Sequence, residues 1–514
     1  MNGAESLVRT LLANEINLCF ANPGTSEMHF IAALDKVKGM RCVLGLFEGV
    51  VTGAADGYYR MTGKPASTLL HLAPGLANGL SNLHNARKAR SGIVNIVGQH
   101  ATYHLQYDAP LSGDIEGVAM PMSHWVRTAT SSQTVATDGA AAVQVAHGTP
   151  GKIATLVLPA DVSWGAAQES TPTVLHALPR ELQADGLAAI AQALRGGKGT
   201  VLLLGGLALR GRALEWAGRI AAKVGCRLMS EGQNARLERG AGRVSLERLP
   251  YDVPGAIAAL KGVGRVVLAG ARMPVAFFAY PDQPSLLTPE ACEVLSLAEP
   301  DQDIEQALEA LAHELGAASA SPAVCELRRP ALPSGRVTPE GIAAVLGALM
   351  PEQAIVVDES ISMGRGFFPP TSGAAPHDWM NSMGASLGYA LPVAIGAALA
   401  APERKVLALV GDGSAMYTLQ ALWTMARESL DVTIVILANR SYNILRSELA
   451  KVGAGTPGPT ALSMLTLDTP NLDWVALAKG HGVAASRAHS LEELARALGR
   501  ALTDHGPRLV ELVI

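Results

Sequence analysis

The stretch from Lys405 to Leu445 constrains the fold more than any other part of the chain. An apolar run, Val406 to Val410, ends in Gly411-Asp412-Gly413-Ser414. A helical pattern follows, and a second apolar run, Val432 to Leu437, stops at Ala438-Asn439. Short, continuous apolar runs on either side of a helix predict two parallel strands, buried on both faces, in a βαβ unit. The loops that follow such strands lie together at the carboxyl edge of the sheet, where ligands bind. Asp412 and Asn439, 27 residues apart, each sit just past a strand, so both are predicted to face one crevice.

Asp412 offers a hard carboxylate oxygen and Asn439 an amide oxygen, a pair suited to Mg²⁺ or Ca²⁺ rather than to zinc. Gly411 and Gly413 let the backbone turn tightly and approach a phosphate closely, and Ser414 can donate to that phosphate. Taken alone, Gly-Asp-Gly is equally a plain turn and Asn439 a plain loop residue. The intervening helix, the second strand and the spacing favour a metal–diphosphate site.

The same rhythm fills the rest of the 514 residues. Strand patterns at Leu18–Ala21, Cys42–Leu46, Thr68–His71, Ile93–Val97 and Thr155–Leu158 alternate with helices over residues 1–165. A second set, including Val201–Leu204 and Val266–Ala269, spans residues 185–315, and a third spans 336–514. The expected fold class is α/β: three domains, each a mostly parallel sheet flanked by helices. A Pro-containing loop from Trp164 to Gln183 and an Ala/Ser/Pro-rich stretch from Gly316 to Gly335 read as linkers.

A net charge of −4 leaves no basic footprint for nucleic acid. Hydrophobic residues make up 49% and charged residues 17%, which suits large buried sheets and a buried subunit interface. The five cysteines are scattered and form no C-x-x-C, which predicts core thiols in a reducing compartment. The longest apolar run, Leu387 to Ala401, contains Pro392 and is too short to span a bilayer. The N-terminus lacks the basic and apolar regions of a signal peptide, so a soluble, cytoplasmic protein is expected.

The Gly411–Ser414 turn, the spaced Asn439 and the Ser441-Tyr442 that follow it resemble the diphosphate motif of thiamine-diphosphate enzymes. The resemblance extends over essentially the whole chain. It points to the branch that holds acetolactate synthase large subunits, their large-subunit-like relatives and benzoylformate decarboxylase. It implies a pyrimidine-binding domain (1–165), a middle domain (185–315) and a diphosphate-binding domain (336–514). It further implies thiamine diphosphate and Mg²⁺ as cofactors, the metal held by the Asp412 carboxylate, the Asn439 side chain and the Ser441 carbonyl. Ser362, Gly411, Gly413, Ser414, Tyr442 and Asn443 would surround the diphosphate, the Ala385 carbonyl would take the 4′-amino group, and Leu387 would wedge between the two rings.

Phe47-Glu48, followed by Ala54-Ala55-Asp56-Gly57-Tyr58, matches the stretch whose glutamate bonds N1′ of the aminopyrimidine. Read without the family, Glu48 is a carboxylate among Leu46, Phe47, Val50 and Val51, and glutamates are also common at helix N-termini for dipole reasons. His71 coincides with an active-site histidine of benzoylformate decarboxylase, Thr25 with a hydroxyl that meets the substrate carboxylate, and Gln99 with a polar pocket position. Glu448 falls where that enzyme has an aromatic pocket residue. The stretch Ala271–Tyr280, which there supplies a second histidine, has none here. Acetolactate synthases proper usually carry FAD in the middle domain, yet residues 185–315 contain no G-x-G-x-x-G and nothing that calls for it.

The implied activity is decarboxylation or carboligation of a 2-oxo acid or related small carbonyl substrate, acetolactate synthase-like with pyruvate as leading donor. Simple decarboxylation of the benzoylformate decarboxylase type, or a non-catalytic paralogue that binds a partner, are the alternatives. Because Glu48 and Asp412 lie in domains that meet across a subunit interface in the family, a homodimer or homotetramer is expected.

Overall fold

Three sheets carry the chain in a computed structural model that describes residues 1–175, 178–181 and 186–514. The first contains β1 (Leu18–Asn22), β2 (Arg41–Leu44), β3 (Ala66–Leu70), β4 (Ile93–Gln99), β5 (Trp125–Thr128) and β6 (Ile153–Pro159), in the order 2-1-3-4-6-5. Every pairing in it is parallel. Strands β3, β4 and β6 are buried along their whole length, which is why they read as mostly apolar rather than alternating, and their buried polar side chains Thr68, Asn95 and Thr155 hydrogen-bond one another across the sheet.

The middle of the chain supplies β7 (Thr200–Leu204), β8 (Arg227–Ser230), β9 (Leu237–Arg239), β10 (Glu247–Arg248), β11 (Arg265–Ala269) and β12 (Glu293–Ala298). Five of these form a parallel sheet in the order 10-8-7-11-12. The sixth, β9, leaves it. It pairs antiparallel with β14 (His377–Asn381) at the edge of the third sheet, Leu237 opposite Trp379 and Arg239 opposite His377. Arg236 holds that junction through Asp378 at 2.8 Å, and Arg404 grips the same carboxylate at 2.5 Å. The middle segment is therefore not closed on its own sheet.

The third sheet also contains β13 (Ala354–Glu359), β15 (Val406–Gly411), β16 (Val432–Ala438), β17 (Ala484–Ala488) and β18 (Arg508–Val513), in the order 17-18-16-15-13-14-9. Strands β15 and β16 are parallel neighbours, as the two apolar runs predicted. Numbered from its own first strand, the order 14-13-15-16-18-17 repeats the 2-1-3-4-6-5 of the first sheet. The chain thus builds one topology twice, and each copy has a switch point, β1/β3 in one and β13/β15 in the other, where a ligand crevice opens.

The two copies share a core. One apolar cluster runs from Leu18 and Phe20 through Val50, Leu76 and Val97 to Val393, Val410 and Ile436. At its centre the Glu48–Thr62 helix packs on the Ala390–Ala400 helix. A Cβ on Gly57 would overlap the Val393 carbonyl, and one on Gly396 the Ala54 carbonyl, so the two backbones touch through glycine. Among the described residues no helix is long and apolar enough to cross a membrane. All five cysteines are free. Of the loop read as a first linker, Trp164 closes a short helix (Ala160–Trp164), and residues 176–177 and 182–183 lie outside the described residues, as does residue 185.

Candidate active site

The third sheet's switch point is a cleft. Ser362, Leu387, the Gly411–Ser414 turn, Asn439 and Ser441–Asn443 line one hollow of about 40 Å³, at the carboxyl ends of β13, β15 and β16. Asp412 is 3% exposed, and its Oδ2 accepts from the Arg440 N–H at 2.7 Å and its Oδ1 from the Gly413 N–H at 3.0 Å. Burial pushes its carboxyl above the usual range, against the pull of those two amides. Asn439 Oδ1 accepts from the Ser441 N–H at 3.0 Å. Gly413 sits beneath the Tyr442 ring, whose Cε1 would lie 2.6 Å from an added Cβ. Neither Gly411 nor Gly413 takes a left-handed conformation; close approach, not turn geometry, asks for glycine at 413.

Left-handed backbone is instead found at non-glycine residues around the site: Ile361 (φ 43°), Ala385 (φ 57°), Arg440 (φ 54°) and, after β3, Leu72 (φ 49°). Strain of this kind costs roughly 1–3 kcal/mol per residue and persists where the surroundings over-determine it. For the loop 382–388, the surroundings are visible. Asn85 accepts from the Ser386 N–H at 3.1 Å and donates to the Ser386 carbonyl at 3.0 Å, while Asn82 donates to the Gly388 carbonyl at 3.2 Å. From the other side Glu359, fully buried at the end of β13, accepts the N–H groups of Gly388 (2.8 Å), Tyr389 (3.3 Å) and Ala390 (2.8 Å). Burial drives its carboxyl up to about 7. Ala385 and Leu387 therefore sit on a loop clamped from both copies of the fold.

The first sheet's switch point gathers Thr25, after β1, and His71, after β3. Here the structure adds a residue the sequence did not single out. Glu27, 2% exposed, meets His71 Nδ1 at 2.9 Å with Oε2, accepts the Gly24 N–H at 2.7 Å with the same oxygen, and takes the Ser26 hydroxyl at 3.0 Å with Oε1. A carboxylate so placed accepts on both oxygens, so His71 donates from Nδ1 and keeps Nε2 for other work. A Cβ on Gly24 would overlap the His71 ring, and one on Gly98 would overlap the Glu27 carboxylate. No periodicity links residues 44 positions apart on two loops.

Glu48 opens the Glu48–Thr62 helix, buried, and accepts from Asn78 Nδ2 at 3.0 Å. It does not line the Asp412 cleft, all of whose lining residues fall between 360 and 444. Gln99, buried at the end of β4, accepts the His100 N–H at 2.8 Å. Thr25 lines a separate hollow with Ser26, His100 and His104, in which neither Gln99 nor Glu48 appears. Within one chain, then, the expected catalytic residues form two groups on two switch points.

Glu448, on the Asn443–Lys451 helix, is held by the Tyr280 hydroxyl at 2.7 Å and by Lys451 at 2.9 Å. Burial raises its carboxyl, but those two donors outweigh it and the net direction is down. It lines a larger cavity, about 320 Å³, that shares Ser360, Ile361, Leu387 and Ile444 with the cleft and also contains Ala385. The histidine-free stretch Ala271–Tyr280 supplies its aromatic wall: Phe277 and Phe278 pack edge-on at 4.8 Å, and Tyr251 lies 5.1 Å from Phe277.

Residues 370–512 match the family described as thiamine pyrophosphate enzyme, C-terminal TPP binding domain, and residues 1–122 its N-terminal TPP binding domain. A Mycobacterium tuberculosis protein named "Putative acetolactate synthase large subunit IlvX" is 51% identical over all of this chain and 99% of its own length. Benzoylformate decarboxylase of Pseudomonas aeruginosa is 31% identical over 96% of this chain and 95% of its own. Among solved structures, the thiamine diphosphate-dependent 4-hydroxybenzoylformate decarboxylase of Rhodococcus jostii superposes with a TM-score of 0.86 at 25% identity, covering 99% of this chain and 98% of that one. The chain belongs to the thiamine pyrophosphate enzymes: it is a thiamine-diphosphate-dependent enzyme of the acetolactate synthase and decarboxylase kind, acting on carbon–carbon bonds next to a carbonyl.

Proposed function

We propose that the chain is a Mg²⁺-dependent 2-oxo acid decarboxylase or carboligase, acetolactate synthase-like, with pyruvate as the leading donor and two chains building each site. The observation that carries the proposal is the donor set of the cleft. Among the described residues no group of three or more His, Cys, Asp or Glu side chains could hold a metal. Asp412 and Asn439 face one hollow with a single carboxylate and a single amide oxygen between them. Such a pair suits a hard cation whose remaining ligands are phosphate oxygens. The burial that raises the Asp412 carboxyl is relieved by a bound cation. The residues fit thiamine diphosphate with Mg²⁺, held by Asp412, Asn439 and the Ser441 carbonyl, with Ser362, Gly411, Gly413, Ser414, Tyr442 and Asn443 around the diphosphate.

When bound, thiamine diphosphate supplies the nucleophilic carbon and the electron sink for loss of CO₂. The chain's own residues do the rest. Ala385, through its carbonyl, and Leu387 would set the bend of the cofactor from a loop that Asn82, Asn85 and Glu359 hold rigid. Glu48 would hold a proton at N1′ of the pyrimidine. Thr25 would meet the substrate carboxylate, Gln99 would be a polar residue of the pocket, and His71, oriented by Glu27, would exchange a proton from Nε2 near the reacting carbonyl. Because Glu48 stands apart from the Asp412 cleft of its own chain, its cofactor would be the one held by a second copy, which makes a homodimer the smallest active unit.

A second reading, decarboxylation of an aromatic 2-oxo acid, is favoured by the Tyr251, Phe277 and Phe278 wall beside Leu387. One experiment separates the two: CO₂ release with product identification from a panel of 2-oxo acids, with thiamine diphosphate and Mg²⁺ added. Acetolactate from pyruvate supports carboligation. Free aldehyde from an aryl 2-oxo acid, with pyruvate inert, supports the second reading. Cofactor bound with no CO₂ from any member would contradict both.

A further inference from the structure

Two arginines point to what enters the larger cavity. Arg248, at the end of β10, and Arg365, in the loop after β13, both line it beside Tyr251, Phe277 and Phe278. Neither guanidinium has a carboxylate within ion-pair distance among the described residues. Arg365 lies over the Tyr251 ring at 4.1 Å, and Arg248 over the Phe368 ring at 4.5 Å, donating one long bond of 3.4 Å to the Arg365 carbonyl. Arg239, buried with Nη1 unpartnered, lies over the same Phe368 ring at 3.7 Å and adds a third positive charge.

The carboxylates that share the cavity are already satisfied. Glu448 is held by Tyr280 and Lys451. Asp358 accepts from the Ser360 amide and hydroxyl, from Trp379 Nε1 at 3.0 Å and from Asn381 Nδ2 at 3.3 Å. Glu359 takes three backbone amides. Asp358 and Glu448 act on Arg248 and Arg365 only through space, without an ion-pair contact; a partly desolvated guanidinium so placed is costly, and Arg presents a planar fork that matches a carboxylate bidentately.

We infer that this cavity is the side-chain subsite of the reaction, and that it takes a 2-oxo acid bearing a second carboxylate, seated against the aromatic rings with that carboxylate between Arg248 and Arg365. The inference rests on the thiamine-dependent 2-oxo acid reading above and moves the preferred substrate from pyruvate to the longer 2-oxo dicarboxylates. The site has two ends. The reacting carbonyl lies toward Leu387, which lines both the cavity and the cofactor cleft, and the second carboxylate lies at the arginines.

The test is calorimetric binding of two unreactive analogues, 2-hydroxyglutarate and 2-hydroxyhexanoate, to the enzyme loaded with thiamine diphosphate and Mg²⁺. The dicarboxylate should bind at least about tenfold more tightly. Arg365→Met and Arg248→Met should each reduce that preference and together abolish it, while 2-hydroxyhexanoate binds the variants as it binds the parent. Equal binding of the two analogues, a preference that survives both substitutions, or no binding of either at millimolar concentration would overturn the inference. Cofactor binding is measured in the same samples. A variant that keeps thiamine diphosphate and loses only the preference speaks to the arginines, whereas a parent protein that binds no cofactor contradicts the reading underneath.

Discussion

Three glutamates do three different jobs, and their surroundings decide which. Glu27 is buried and satisfied on both oxygens, so it orients His71. Glu27→Gln keeps the shape but offers an N–H where Nδ1–H needs an acceptor. It should lower kcat by about tenfold to a hundredfold with little change in Tm, and unchanged kcat would remove Glu27 from the machinery. Glu48 is positioned by Asn78, which donates to its Oε2 at 3.0 Å. With Glu48→Gln, bound cofactor should exchange its C2 proton with D₂O more slowly by about a hundredfold or more while binding is retained; exchange at the parent rate would refute the role given to it.

Glu359 reports on pH. Its carboxyl is raised from 4.5 to about 7 by burial. The folded chain therefore binds this proton more tightly than the unfolded chain does. That stabilisation is complete below about 4.5 and is lost as pH climbs through 7, a change on the order of 3 kcal/mol. Urea unfolding of the parent should weaken across that window, and Glu359→Gln should flatten the slope; parallel slopes would contradict the assignment. At this scale the sequence singled out Asp412, Asn439 and Glu48 as candidates, through their neighbours in the chain. It hid Glu27 and Glu359, whose partners are brought together only by the fold.

Among elements, the pair of helices Glu48–Thr62 and Ala390–Ala400 decides how the two copies of the sheet are joined. Both segments are rich in small residues, GVVTGAADGYYR and the run after Leu387, and that much was legible. That one packs on the other was not, because small residues license close approach without naming a partner. Gly396→Val would push a branched side chain into the Ala54 carbonyl. It should cost about 3 kcal/mol of unfolding free energy, read by denaturant titration; a loss under half of one kcal/mol would mean the helices part easily. Strand β9 escaped the sequence for a different reason. Three residues, Leu237–Arg239, are too few to show a period, and what places them is the Arg236–Asp378–Arg404 ion cluster and the pairing with β14.

For the whole molecule, the repeat of one strand order in the first and third sheets explains why the active-site residues fall into two groups. Each copy has its own switch point, and one carries the residues proposed to hold metal and diphosphate while the other carries Thr25 and His71, with Glu48 on the adjoining helix. The three sheets were legible because buried parallel strands announce themselves as apolar runs. The doubling was not, because strand order depends on crossovers that periodicity does not record. A site shared in this way requires that Glu48 of one chain serve the Asp412 cleft of another. Glu48→Gln and Asp412→Ala chains are each expected to be inactive alone. Unfolded together, mixed and refolded, they should regain about a quarter of the parent rate of CO₂ release, because half of the random dimers carry one intact site of two. Recovery near that level supports a site shared between chains; no recovery from a mixture shown to contain mixed dimers would contradict it.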